Sequence, residues 1–221
     1  IGHADMESDL GNILTSLGYN PNGTFLSQVI NLSRSIEDIQ KDIKKNARQD
    51  IKKAEEKGVF VVESTNIRGL NELYKFIINM QERAGIYMPP YSLYKNALEI
   101  LGPKRLMKIH LSKHEGKTIG ASYRTYFKDL VCLASEATSP EFNHLHPSHA
   151  LYWNCIKESK EQGYRKFDTC GLPQDKNSSL YFFKSRWGGE IREIYKYNKK
   201  IKPTLKTITF RKFLSGCSRF V

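Results

Sequence analysis

Two short stretches concentrate the residues that could do chemistry: Gly163-Tyr-Arg-Lys-Phe-Asp-Thr-Cys-Gly171 and Tyr181-Phe-Phe-Lys-Ser-Arg-Trp-Gly-Gly189. In the first, Phe167 and Asp168 close a short strand and Gly171 turns the backbone, so Asp168 stands at the carboxyl end of a strand. Open α/β sheets place their ligands at such ends. Asp168 could orient a reacting group, or tie down the next loop through backbone N–H groups. In the second, Lys184 sits among Tyr181, Phe182, Phe183 and Trp187 on a short aromatic helix, Leu180 to Trp187, which stops at Gly188-Gly189. Such a lysine either snorkels to water or is held for an anionic partner.

Three further groups merit weighing. Arg48 and Lys52 lie four apart on one helix face and could grip a phosphate, or simply form a solvated face. Ser148 opens a helix, which makes an anion site or only a cap. His144, His146 and His149 form HxHxxH beside that helix start. A metal needs convergent ligands and supporting carboxylates. A loop that also holds Pro147 reads as leaving the imidazoles in solvent, and no metal is assigned.

The elements that must position these residues follow from periodicity. Thr24 to Leu32 reads as a strand, after a turn-rich linker Gly18–Gly23. Ile36, Ile39, Ile43, Ala47, Ile51 and Ala54 keep helical spacing, so one helix is expected from Ser33 or Ser35 to Gly58. Val59–Val62 is an apolar strand, and Leu70, Leu73, Ile77 and Met80 mark a helix closing at Gly85. Pro89-Pro90 precede a helix from Ser92 to Leu101. Arg105–Leu111, Thr118–Phe127 and Leu130–Ala137 form a meander, joined by Glu115-Gly116 and Lys128-Asp129. A loop from Ser139 to Pro147 leads to a helix from Ser148 to Gln162, with Tyr152 and Trp153 expected in the core. The last strand is Ile191–Tyr197. One mixed sheet flanked by helices, an α/β (α+β) fold, fits this order.

Hydrophobic residues make up 39% of the 221, enough for a core, and no apolar run approaches the ~20 residues of a membrane helix. The chain opens on Ile1 without a signal-peptide pattern, which reads as a trimmed or excised chain. Cys132, Cys155, Cys170 and Cys217 lack metal-site spacing and read as reduced thiols of a cytoplasmic protein. The formal charge is +12, and Arg192 to Lys212 holds eight Lys/Arg against Glu193 alone. That segment is a candidate surface for tRNA, nucleotide phosphates or an anionic membrane, or a solubilising tail.

Beyond element order, local sequences carry a likeness. Ser33-Arg-Ser-Ile-Glu-Asp-Ile, Lys45-Asn-Ala-Arg-Gln-Asp-Ile-Lys-Lys-Ala54 and Gly58-Val-Phe-Val-Val resemble the opening of the second half of Fem-type transferases. Leu151-Tyr-Trp153, Gly163, Phe167-Asp168-Thr-Cys-Gly171, Phe183-Lys184 and Gly188-Gly189 resemble that half's closing part. Fem-type enzymes look like tandem GNAT acyltransferase domains that transfer an amino acid from aminoacyl-tRNA to an amine of a peptidoglycan precursor.

The resemblance implies a GNAT-like fold over residues 24–200, a basic segment over 201–221, and a linker or remnant of a preceding domain over 1–23. Leu10–Tyr19 is similar to the last helix of such a first domain, which would be missing here. Lys184 would stabilise developing oxyanion charge and Phe183 would wall the site. Glu136 stands where GNAT enzymes place a base and Tyr181 where they place an acid. A GNAT that uses acetyl-CoA cradles the pyrophosphate with a glycine-bearing loop at a helix start. The corresponding Ser139–Pro147 has no glycine, and Pro147 removes a donor. No cofactor is therefore expected. The alternatives are an acyl-CoA-dependent N-acyltransferase and a non-catalytic tRNA- or phosphate-binding module.

Overall fold

The computed structural model describes residues 2–5 and 10–200. In chain order the elements begin with β1 (Gly2–Asp5), α1 (Leu10–Ser16) and β2 (Asn20–Asn31). Next come α2 (Ile36–Asp42), α3 (Lys45–Glu56), β3 (Phe60–Ser64), α4 (Ile67–Ala84) and α5 (Tyr91–Leu101). The meander is β4 (Met107–His114), β5 (Lys117–Phe127) and β6 (Leu130–Thr138). The chain closes with α6 (Pro147–Glu161), β7 (Lys166–Asp168), α7 (Ser179–Lys184) and β8 (Glu190–Asn198). Two compact units result, one of residues 1–25 with 193–221 and one of Leu26–Arg192. In the smaller unit β1 pairs antiparallel with β8, Gly2 facing Tyr197. The basic segment 201–221 lies outside the described residues, as does Cys217.

The larger unit is a mixed sheet in the order β2-β7-β6-β5-β4-β3. β3 to β6 are antiparallel neighbours, β6 and β7 run parallel, and β7 is antiparallel to β2. One face packs Met107, Ile109, Leu111 and Ala121 against Leu70, Leu73 and Ile77 of α4 and Tyr94 and Leu98 of α5. The other packs Ile30, Leu133 and Phe167 against α2, α3 and α6 through Ile39, Ile51, Tyr152 and Ile156. Helices therefore flank both faces, as expected for strands that present apolar side chains on both sides. Tyr152 and Trp153 lie in the core. Caps mark the boundaries: the Asn66 side chain accepts the Arg68 and Gly69 N–H groups, and Gly85 ends α4 in the left-handed conformation.

Four local expectations need correction. The single helix from Ser33 or Ser35 to Gly58 is two, because Ile43 and Lys44 are extended. Arg48 Nη1 donates to the carbonyls of Ile43, Lys41 and Gln40 at 2.8, 3.1 and 3.3 Å, satisfying the end of α2. The apolar spacing survives the break, since Ile39, Ile43, Ala47 and Ile51 are all buried. Asn20–Gly23 begins β2 rather than forming a turn. Ser139–Pro147 holds a 3-10 helix, Pro140–Leu145. The aromatic helix is α7 followed by a 3-10 turn, Ser185–Trp187. Beyond it Gly188 has φ 71° and ψ −163°, an extended glycine conformation instead of a left-handed helix end.

Candidate active site

β6 and β7 pair only from Leu130/Lys166 to Cys132/Asp168. After Asp168 the chain follows β2, with Thr169 N–H donating to Gln28 O at 2.9 Å and Leu172 N–H to Leu26 O at 2.6 Å. β6 instead continues along β5 to Thr138, and a register shift opposite Tyr123/Arg124 inserts Ala134 as an extra residue. Such bulges bend a strand and re-aim its side chains. The two parallel strands therefore part, and Glu136 lies on the length of β6 beyond their last pairing.

Glu136 faces a polar row on the sheet beneath α6. It pairs with Ser122, which pairs in turn with His110. Its Oε2 is cut off from solvent and lacks a hydrogen-bond partner among the described residues. Burial pushes its carboxyl up to about 7, against Ser148, Lys184 and Arg124, which pull it down. A carboxyl poised there can take a proton at neutral pH.

Lys184 comes from the last turn of α7, whose start is capped by Ser178 accepting from Tyr181 N–H. The side chain is buried rather than snorkelling, and its ammonium faces backbone instead of a ligand. Nζ donates to Thr169 O at 2.8 Å, Gly171 O at 2.9 Å and Cys170 O, so its three protons all have acceptors. Burial lowers its pKa, while Cys170, Glu136 and Asp168 raise it. The carboxylate of Asp168 holds the same turn from the other side: Oδ1 accepts the Cys170 N–H at 2.7 Å and the Ser27 hydroxyl. Residues 169–171 are thus clasped by a cation on their carbonyls and an anion on an N–H.

A family profile described as an acetyltransferase (GNAT) domain matches residues 41–184, more than half of the chain. The chain belongs to this family. Among solved structures the GNAT domain is similar to one described as FemX, with a TM-score of 0.73 and 15% identity, covering 87% of this chain and 69% of that one. The structure of L-PGS from Bacillus licheniformis is similar with a TM-score of 0.58 and 14% identity, covering 96% and 70%. A glucosamine N-acetyltransferase region of a fungal multi-domain beta-N-acetylglucosaminidase gives 0.52 and 12% identity, covering 89% and 24%. A comparison with curated proteins found no match.

Of the residues singled out in the sequence, the GNAT domain brings Glu136, Ser148, Lys184 and Asp168 into one electrostatic neighbourhood. Phe183 is half-buried, edge-on to Tyr152 at 5.0 Å and to His149 at 5.1 Å, with Trp187 stacked on Tyr152 at 4.9 Å. Tyr181 is half-buried in the same helix, and its hydroxyl makes no hydrogen bond to Glu136. Arg48 and Lys52 lie apart from this centre: Arg48 caps α2, and Lys52 is an exposed partner of Glu56 at 3.5 Å. A cleft of about 630 Å³, lined in part by Arg34, Asp129, Arg165 and Lys166, opens near the start of β7 and includes neither Glu136 nor Lys184.

The histidines differ from their expected exposure. His149 is buried, and burial lowers it to about 4 despite Asp50. Asp50 Oδ1 is 3.6 Å from His146 Nδ1, and Oδ2 is 3.6 Å from His149 Nε2. Arg186 Nη1 stands 3.9 Å from the same carboxylate and would oppose a cation there. Only His144 is exposed. Sequence reasoning also missed Arg124, fully buried on β5, which donates to Glu158, Asn154 and the Leu151 carbonyl, each at 3.0 Å. Its alternation with Ser122 and Tyr126 on β5 was the available signal.

Proposed function

We propose that this GNAT domain transfers an aminoacyl group from aminoacyl-tRNA to an amine of a peptidoglycan precursor. The observation that carries this reading is the donor-poor start of α6. Pyrophosphate of an acyl-CoA requires free N–H groups at such a helix start. Here Pro147 has none, the His146 N–H goes to Asn143 O and the His149 N–H to His146 O, each at 3.0 Å, so Ser148 alone offers a free N–H in the first turn. The FemX-like fold fits the sequence's resemblance to Fem-type transferases, which implies an aminoacyl donor.

In the mechanism Glu136 accepts the proton of the acceptor ammonium, and the freed amine attacks the ester carbonyl. The new C–N bond forms as the ester C–O bond breaks, with no covalent enzyme intermediate. Tyr181 gives its proton to the leaving hydroxyl and is restored by the second proton, shed from the new amide nitrogen. Lys184 and Asp168 fix the turn beside the reacting carbonyl, and the lysine's charge favours the oxyanion. Ser148 orients Glu136, and Phe183 walls the site. Exposed Lys52 and the basic sequence of residues 201–221 would supply positive charge for RNA or an anionic membrane, whereas Arg48 is committed to the end of α2. A preceding GNAT-like domain would supply much of the precursor site, and a tRNA donor implies a cytoplasmic reaction.

The test is transfer of labelled amino acid from a mixed aminoacyl-tRNA pool to a nucleotide-linked precursor, alongside calorimetric titration with acetyl-CoA. Labelled precursor and no acetyl-CoA heat are expected. Micromolar acetyl-CoA binding without transfer would move the reading to an acyl-CoA donor. Salt-sensitive RNA binding without turnover would leave a binding module.

A further inference from the structure

At the point where β6 and β7 part, two thiols face one another. Cys132 is the last residue of β6 paired with β7, opposite Asp168. Directly paired residues of neighbouring strands project to the same face. Two residues beyond Asp168, Cys170 adopts φ 50°, which is unusual for a residue with a side chain. That turn is held by the Cys170 N–H bond to Asp168 Oδ1 and by Lys184 on the Cys170 carbonyl. The sulfurs of Cys132 and Cys170 and a carboxylate oxygen of Asp168 all lie within 4.8 Å of one another. Both cysteines are free and half-buried, whereas Cys155 is buried.

We infer that Cys132 and Cys170 are a redox-active dithiol that closes to a disulfide, fastening β6 to the 169–171 turn. Closure needs the sulfurs, which lie within 4.8 Å, to come to about 2.05 Å. The co-reactant is a low-molecular-weight disulfide. The Cys132 thiolate attacks one of its sulfurs, releasing one small thiol and leaving a mixed disulfide. Cys170 then gives its proton to solvent and attacks the Cys132 sulfur, releasing the second small thiol. One external disulfide is reduced as the protein dithiol is oxidised.

The order follows from the pair's asymmetry. The Cys170 Sγ–H donates to Asp168 O at 3.7 Å; proximity of the two thiols lowers Cys132, and the same proximity, followed by burial, raises Cys170. Once Cys132 is capped the contact is gone and Cys170 is freed to resolve. The link would lie across the divergence of the strands, four residues before Glu136.

The test is incubation of the full chain with glutathione disulfide, followed by intact mass and peptide mapping under non-reducing conditions. A product two hydrogens lighter, a Cys132–Cys170 cross-linked peptide and reversal by dithiothreitol are expected, with Cys155→Ser behaving like the parent. Cys132→Ser and Cys170→Ser should each stop at a glutathione adduct or stay unmodified. Stable adducts on the parent, a cross-link through Cys155 or Cys217, or no loss of thiols would overturn the inference. The parent's peptide map decides even if a variant fails to fold.

Discussion

The ammonium of Lys184 lies 2.8 Å from the carbonyl oxygen of Thr169, whose own N–H is bound to Gln28 of β2. One side chain from α7 therefore fixes the turn at the end of β7, and Asp168 fixes it again from within. Lysine is suited to this because a compact ammonium can satisfy three carbonyls that converge from one side.

Lys184→Met keeps the apolar stem and removes the three donors. Loss of about 2 kcal/mol is expected, because the carbonyls lose a charged partner while the desolvation of the ammonium is relieved. Urea denaturation measures it, and hydrogen exchange should quicken at residues 169–172. Unchanged stability and exchange would show that the clasp contributes nothing.

Two glycines separate conformational strain from crowding. Gly163 has φ 85° with nothing within 4 Å of an added Cβ, so Gly163→Ala should cost about 1 kcal/mol. Gly189 has φ 89°, and a Cβ there would meet Val29 O at 2.7 Å and Ile30 Cγ1 at 3.0 Å. Gly189→Ala should therefore cost clearly more, about 3 kcal/mol. Equal losses in thermal or urea denaturation would contradict the close approach of these backbones.

Much of this architecture is written in local signals. The Gly85 stop, the meander and the end of β7 at Asp168 are visible because turn residues and apolar periodicity agree there. The break between α2 and α3 is not, since Ile39, Ile43 and Ala47 keep their spacing through it. It depends on Arg48 reaching back to three carbonyls and on Lys44 N–H donating to Arg186 O at 2.8 Å, a contact made across 142 positions of sequence. Lys184 was legible as a residue of consequence, but its carbonyl partners arise only when the 169–171 turn is placed. His149 reads as a solvent-facing histidine beside Pro147, yet its helix turns it between Phe183 and Trp187.

Acid should unfold the domain through its buried histidines. Burial lowers His110 to about 4, and Arg124 adds to this against Glu158, 3.0 Å away. His149 is lowered to about 4 in the same way. Both folded values lie below the ordinary histidine value near 6.5, so the unfolded chain binds more protons between them. Their contribution is present above about pH 6.5 and is lost as pH falls toward 4. Between pH 7 and 5 the two histidines together should cost about 4 kcal/mol and the Glu136 carboxyl should return about 2, a net loss of about 2 kcal/mol, with His110→Gln flattening that slope. A pH-independent stability across this window would contradict it.

Glu136 carries the opposite sign, and this makes its role separable from structure. Burial raises its folded value to about 7, above the unfolded value near 4.5. Its favourable contribution is therefore complete below about pH 4.5 and is lost as pH rises through 7. Glu136→Gln removes a carboxylate that is costly to bury, so at pH 8 the variant should be at least as stable as the parent in urea. Catalysis should move the other way. The parent's transfer rate should climb with pH to a plateau above about 7, and the variant should lose roughly 10²–10⁴-fold together with that inflection. Retained activity at full stability would remove Glu136 as the base, because the substitution would then have changed only the burial of a charge.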